Sequence, residues 1–171
     1  MEKVLISACL LGKKVRYDGK TLAVIDTLLE RWMTEGRVIS VCPEVDAGMS
    51  TPRAAAEISA GDGNDVLAGS AKVVRQNGDE VSAYFKKGAQ LALVLCQENA
   101  IKVVVLTEGS PSCGSSNIYD GSFTRQKITG VGVTVALLRQ HGIQVFNQYQ
   151  LLEAEQALEQ IESRALARPT R

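Results

Sequence analysis

The sequence has no apolar run long enough to cross a bilayer. Its longest runs, such as Val103-Val104-Val105-Leu106, fall far short of the roughly twenty residues a spanning helix needs. It has no net charge either. Nineteen Lys and Arg against nineteen Asp and Glu leave no general drive toward phosphate backbones or acidic lipid, although a small basic patch is compatible with that balance. No export signal is expected either, because Met1-Glu2-Lys3 leads straight into a strand-like segment. The expected compartment is therefore the cytoplasm, where the four cysteines would be reduced thiols or metal ligands rather than disulfides. Internal repeats, low-complexity tracts and linkers are absent too. Residues 1–171 read as one α/β domain, long enough to bury a core.

What is present is an alternation of short apolar runs with helical periodicity. Val4-Leu5-Ile6 reads as a buried strand, followed by a loop through Arg16-Tyr17-Asp18-Gly19. Leu22, Ile25, Leu28, Leu29, Trp32 and Met33 recur at helical spacing, and Gly36 closes that helix. Val38–Val41 is a second strand, ended by Cys42-Pro43. The weaker pattern from Asp46 to Ala71 predicts a long excursion, and 71–75 a short extra strand before a turn at Asn77-Gly78. Ser82 is expected to cap a helix reaching about Asn99, with Phe85, Ala89, Ala92 and Cys96 on its inner face. Residues 102–107 form the most hydrophobic strand and open into a long loop, 108–129. A helix over 130–141 and a strand over 143–146 follow. The end, 151–171, reads as a charged amphipathic helix whose last residues fray. Continuous apolar strands alternating with helices predict an open parallel sheet of about four main strands, covered by helices on both faces. The fold class is Rossmann-like α/β with a long insertion after the second strand.

In such a sheet, ligands collect beyond the carboxyl ends of the strands. Cys9, Cys42 and Cys113 all belong to that edge, although 33 and 71 residues separate them and no Cys-x-x-Cys staple links them. Each alone is more often a packing residue; a shared edge makes coincidence a poor explanation. Three converging thiolates suit a soft metal centre. Zinc would want a fourth protein ligand, and the single histidine, His141, ends a helix on the wrong side. A cubane iron–sulfur cluster fits better, since three cysteines leave one iron open to a substrate atom. Cys96, mid-helix on the apolar face, reads as core.

Polar groups crowd the same edge. Glu44 has no salt-bridge partner at helical spacing; it is either a solvated loop carboxylate or a proton carrier at a bound substrate. Ser110 and Ser112, within Ser110-Pro111-Ser112-Cys113-Gly114, form a turn or hydrogen-bond a ligand or cluster sulfides. Arg53 offers a guanidinium fork for a planar polar ligand, against the slightly preferred alternative of a surface charge at a helix start.

Taken together, Cys9-Leu10-Leu11-Gly12, Val15-Arg16-Tyr17-Asp18-Gly19, Cys42-Pro43-Glu44, Ser50-Thr51-Pro52-Arg53 and Ser110-Pro111-Ser112-Cys113-Gly114 resemble the family known as domain of unknown function 523, which includes the thiouracil desulfidases. The motifs follow family order up to about Gln148. The resemblance implies a [4Fe–4S] cluster on Cys9, Cys42 and Cys113, and non-redox removal of sulfur from a thiolated uracil. The substrate sulfur would bind the open iron, and Glu44 and Ser110 would be the catalytic helpers. Ser112 and Arg53 are the expected substrate contacts, and the neutral charge favours a small-molecule substrate over RNA. The competing readings are a cluster-holding sulfur or redox sensor without turnover, and a metal-free module with buried thiols.

Overall fold

The computed structural model describes residues 1–167. In chain order, β1 (Val4–Ser7) runs into a 3-10 turn (Ala8–Leu11) and an extended segment before α1 (Thr27–Thr34). β2 (Val38–Val41), the single turn α2 (Pro43–Asp46), β3 (Ala56–Ser59), α3 (Gly63–Ala68) and β4 (Lys72–Arg75) follow. α4 (Ser82–Glu98) then leads to β5 (Val103–Leu106), β6 (Asn117–Tyr119) and β7 (Lys127–Thr129). The chain ends with α5 (Val133–Gln140), β8 (Gln144–Asn147) and α6 (Leu151–Leu166).

The aliphatic runs pair as one parallel sheet in the order β2-β1-β5-β8, with Val4 opposite both Val38 and Val103, and Val103 opposite Gln144. Their alternation feeds two cores. Leu5, Val41, Val104, Leu106 and Val145 face Ala92, Leu93 and Cys96 of α4 and Val135 and Leu138 of α5. Val4, Ile6, Val103 and Val105 face Leu29 and Trp32 of α1 and Leu151, Ala154, Ala157 and Leu158 of α6. This is the expected α/β sheet with helices on both faces. Among the described residues no helix is long and apolar enough to cross a membrane. One acid on α6 is a structural pin: Glu155, 8% exposed, pairs with Arg31 and accepts the Trp32 indole N–H at 2.6 Å.

Several local expectations shift. The first helix starts at Thr27 rather than Leu22. The Leu22 and Val24 N–H groups instead donate to the carbonyls of Cys9 and Leu10, while Asp26 caps α1 by accepting from Leu28 N–H at 2.8 Å. Gly36 does close that helix, at φ +68°, with its N–H on the Met33 carbonyl. Ser82 is not the cap of α4. The N-cap is Val81, and the Ser82 hydroxyl accepts from Val73 N–H at 2.9 Å, tying α4 to β4. The excursion after β2 is partly regular: β3 and β4 pair antiparallel and cover a third apolar cluster with α3, including Ile58, Val66, Val73 and Phe85. The long loop after β5 likewise carries the antiparallel pair β6–β7. The expected fraying falls on 168–171, outside the described residues.

Gly88 sets how closely α4 approaches the end of β2. A Cβ there would lie 2.3 Å from the Pro43 carbonyl oxygen and 3.0 Å from the Pro43 ring. Backbone cannot yield as a side-chain tip can, so Gly88→Ala is expected to cost about 1–3 kcal/mol. Chemical denaturation of the metal-free chain measures it; a loss under about 0.5 kcal/mol would show that α2 is free to shift.

Candidate active site

The chain leaves β1 for β2 on one side and later crosses to β5 on the other, so the sheet order reverses between β1 and β5. The crevice at such a switch point is where open α/β sheets bind ligands. It is bridged at its base: Thr107 N–H donates to Ser7 Oγ at 3.0 Å, and the Cys9 thiol and Thr107 hydroxyl share a hydrogen bond at 2.8 Å. Above it opens a cavity of about 790 Å³, walled by residues that follow all four parallel strands. Cys9, Cys42, Glu44, Arg53, Ser110 and Cys113 all line it.

Each side chain arrives for a local reason. Cys9 sits in the 3-10 turn after β1. Cys42 is the N-cap of α2, whose first residue is proline, and its N–H donates to Asp46 Oδ2 at 3.1 Å. One residue into that turn is Glu44. Cys113 lies on a loop stitched to α5: Val133 N–H and Thr134 N–H donate to the carbonyls of Pro111 and Ser112, each at 2.9 Å. The three thiols are unequal in setting but shifted alike. Burial pushes Cys9 and Cys42 above the usual thiol range, and pushes Cys113 furthest, with Cys42, Glu44 and Cys9 adding to its shift. Cys113 thus feels both other thiols and the carboxylate. Cys96 stands apart, 1% exposed in the α4 core and raised by burial to about 12.

The donor chemistry separates the two metals considered from the sequence. Among the described residues, no three Cys, His, Asp or Glu side chains are gathered tightly enough to hold a single ion. His141 is exposed at the end of α5, its Nδ1 2.9 Å from the Leu137 carbonyl oxygen, and cannot complete a zinc site. Three thiols lining one cavity suit a soft polynuclear cluster, which spreads its ligands over separate irons.

Two residues are placed differently from expectation. Arg53 is no surface charge: its side chain is 2% exposed, and its guanidinium is spent within the wall. Nη1 donates to the Ser50 carbonyl and Thr51 Oγ1, and Nη2 to the Val15 carbonyl and to Glu44 Oε2 at 2.5 Å. Glu44 therefore has a partner after all, nine residues on rather than at helical spacing. Ser112 does not line the cavity. It is 1% exposed, and its hydroxyl meets that of Thr134 at 2.8 Å, pinning the loop to α5.

Sequence reasoning passed over two carboxylates that shape the walls. Glu57, 8% exposed, accepts from Gly121 N–H at 2.9 Å and Phe123 N–H at 3.1 Å, tethering the tip of the β6–β7 pair beside the cavity. Glu108 gathers the loop that carries Ser110 and Cys113. Burial would raise its carboxyl, but hydrogen bonds from Ser115, Asn117, Ser116 and Asn147 outweigh that and hold it below the ordinary carboxylate range. An acid directly after the most apolar strand was the available signal for Glu108; Glu57 had none.

A switch-point cavity walled by three separate thiols, in a four-stranded Rossmann-like sheet, defines a class: an α/β protein suited to a cluster with an open position. Comparison with known proteins narrows it. The 2-thiouracil desulfurase family model matches residues 4–150, and the chain belongs to that family. The chain is 43% identical over 148 residues to YbbK of Bacillus subtilis (strain 168), an uncharacterised protein, covering 86% of this chain and 97% of that one. It is also similar to the solved structure of the [4Fe–4S]-dependent thiouracil desulfidase TudS, with a TM-score of 0.85 and 46% identity. That match covers 93% of this chain and 99% of the other.

Proposed function

We propose that this protein is a desulfidase that converts a thiolated pyrimidine, thiouracil, to uracil and sulfide, using a [4Fe–4S] cluster held by Cys9, Cys42 and Cys113. The observation that carries the reading is the meeting of those three thiols with Glu44 and Ser110 around one cavity at the sheet's switch point. Membership of the 2-thiouracil desulfurase family and the likeness to TudS support it. The substrate is a small molecule and the working compartment the cytoplasm.

Bound to three cysteines, the cluster would supply an open iron, a soft Lewis acid for a thiocarbonyl sulfur. The chain's own residues would do the rest. Glu44, fixed by Arg53 at 2.5 Å, would take a proton from the water that attacks the sulfur-bearing carbon and pass one to a ring nitrogen. Ser110 has a defined polarity. Its Oγ accepts from Cys113 N–H at 2.7 Å and Ser112 N–H at 3.2 Å, which occupies both lone pairs. Only its proton is left for the cavity, so Ser110 would act as a donor that orients the ring or steadies developing negative charge.

The deciding experiment is sulfide release from 2-thiouracil by anaerobically reconstituted protein, with uracil measured alongside. One sulfide per uracil formed, without added reductant, is the expected result. Protein that holds iron and labile sulfide yet releases nothing would be a sensor instead. Protein that cannot be reconstituted at all would be a module with buried thiols.

A further inference from the structure

We propose that Glu108, a residue outside the thiol, carboxylate and serine set, is a positioning residue for the desulfuration and rests on that functional reading. Its side chain accepts six hydrogen bonds. Oε1 takes the backbone N–H groups of Gly109 (3.3 Å), Ser115 (3.1 Å), Ser116 (3.0 Å) and Asn117 (2.9 Å). Oε2 takes the Ser115 hydroxyl at 2.6 Å and the Asn147 side-chain amide at 2.8 Å. Four of these donors lie seven to nine residues away, so the carboxylate closes the segment 108–117 into a ring, and that ring carries Ser110 and Cys113. Asn147 extends the grip to the end of β8: its amide also reaches Ser115 Oγ at 3.1 Å, and its Oδ1 accepts from Tyr149 N–H at 3.0 Å. The Glu108 N–H itself donates to Gln148 Oε1 at 2.9 Å. The loop that presents one thiol and one hydroxyl to the cavity is thereby locked to the end of β8.

The polarity of this arrangement permits a specific test. Oε1 must remain an oxygen, because four N–H groups point at it. In Glu108→Gln the new NH2 is therefore forced into the Oε2 position, where it faces the Asn147 NH2, donor against donor. Asn147→Asp alone sets two carboxylates against each other. In the double variant E108Q/N147D, the amide of residue 108 donates to the new carboxylate, Ser115 turns its hydroxyl to match, and Tyr149 keeps its acceptor. Each single variant is expected to lower kcat about 10- to 100-fold, the penalty of slight misplacement at a reacting centre. KM for 2-thiouracil stays within about threefold, and iron per chain is unchanged. The double variant is expected to recover to within about fivefold of the parent, the signature of coupled partners.

A role in folding alone would lower the melting temperature of the metal-free chain without this split between kcat and KM. Glu108→Gln turning over at the parent rate, or a double variant no better than the worse single one, overturns the proposal. A second measurement needs neither turnover nor cluster. Amide hydrogen exchange at 115–117 in the metal-free chain is expected to quicken at least about tenfold in Glu108→Gln and to slow again in the double variant. Unchanged exchange in Glu108→Gln overturns the proposal as well. A parent protein that releases no sulfide refutes the desulfidase reading instead, and the exchange comparison then decides the role of Glu108 in the loop.

Discussion

Cys42→Ala and Cys113→Ala protein, reconstituted anaerobically, is expected to hold far less iron and labile sulfide than the parent and to release sulfide only at background. Cys9→Ala should behave likewise, whereas Cys96→Ala should keep both cluster and turnover. The contrast follows from position. Cys9, Cys42 and Cys113 wall the cavity on three different segments, so no neighbouring thiol can stand in when one is lost. Cys96 is sealed among Ala92, Leu93 and Val135, and its loss should cost only roughly 1–3 kcal/mol of packing. Burial raises all four thiols, so in the metal-free chain they are weak nucleophiles, and cysteine alkylation would not sort ligand from core cleanly. Iron and sulfide content does sort them. A Cys42→Ala protein with full activity, or a Cys96→Ala protein that folds but cannot hold iron, would remove the basis for the ligand assignment.

The sheet was legible in the sequence because buried parallel strands leave continuous apolar runs, and Val4–Ser7, Val38–Val41 and Val103–Leu106 are such runs. The site edge was legible for the same reason, since Cys9 and Cys42 come directly after β1 and β2, Cys113 lies in the loop after β5, and the alternation fixes the direction of those strands. What escaped was structure made by long-range pairing. β3 and β6 are four- and three-residue strands whose signal is too short to rise above the glycine-rich segments around them. The start of α1 escaped because tertiary bonds to the Cys9 and Leu10 carbonyls claim 22–24, overriding an apolar period that continues backward past Asp26. The inward turn of Ser112 and the burial of Arg53 depend on which neighbour completes their hydrogen bonds, Thr134 and Glu44 respectively. No local pattern encodes such partners. The same holds for Glu108, whose donors are supplied by a loop that closes back on it.

Glu44→Gln protein is expected to retain the visible absorbance and iron content of the parent and to lose turnover by about 10²- to 10⁴-fold, the usual contribution of a positioned acid–base group. Glutamine is the sharper substitution here. Arg53 is 2% exposed and donates to Glu44 Oε2, so Glu44→Ala would strand a buried guanidinium, and removing one partner of a buried pair costs about 3–5 kcal/mol. Its effect on rate could then be blamed on the wall collapsing around Cys42. Glutamine keeps a carbonyl oxygen for Arg53 while lacking the capacity to accept a proton. Melting of the metal-free Glu44→Gln chain near the parent value, combined with lost sulfide release, would locate the defect in proton transfer. Turnover within about threefold of the parent would take Glu44 out of the mechanism and leave its pairing with Arg53 as its whole purpose. The ion pair would then be a brace for the turn that presents Cys42, and the search for a base would pass to the other carboxylates at the cavity, Glu57 and Glu108, both already engaged by backbone N–H groups.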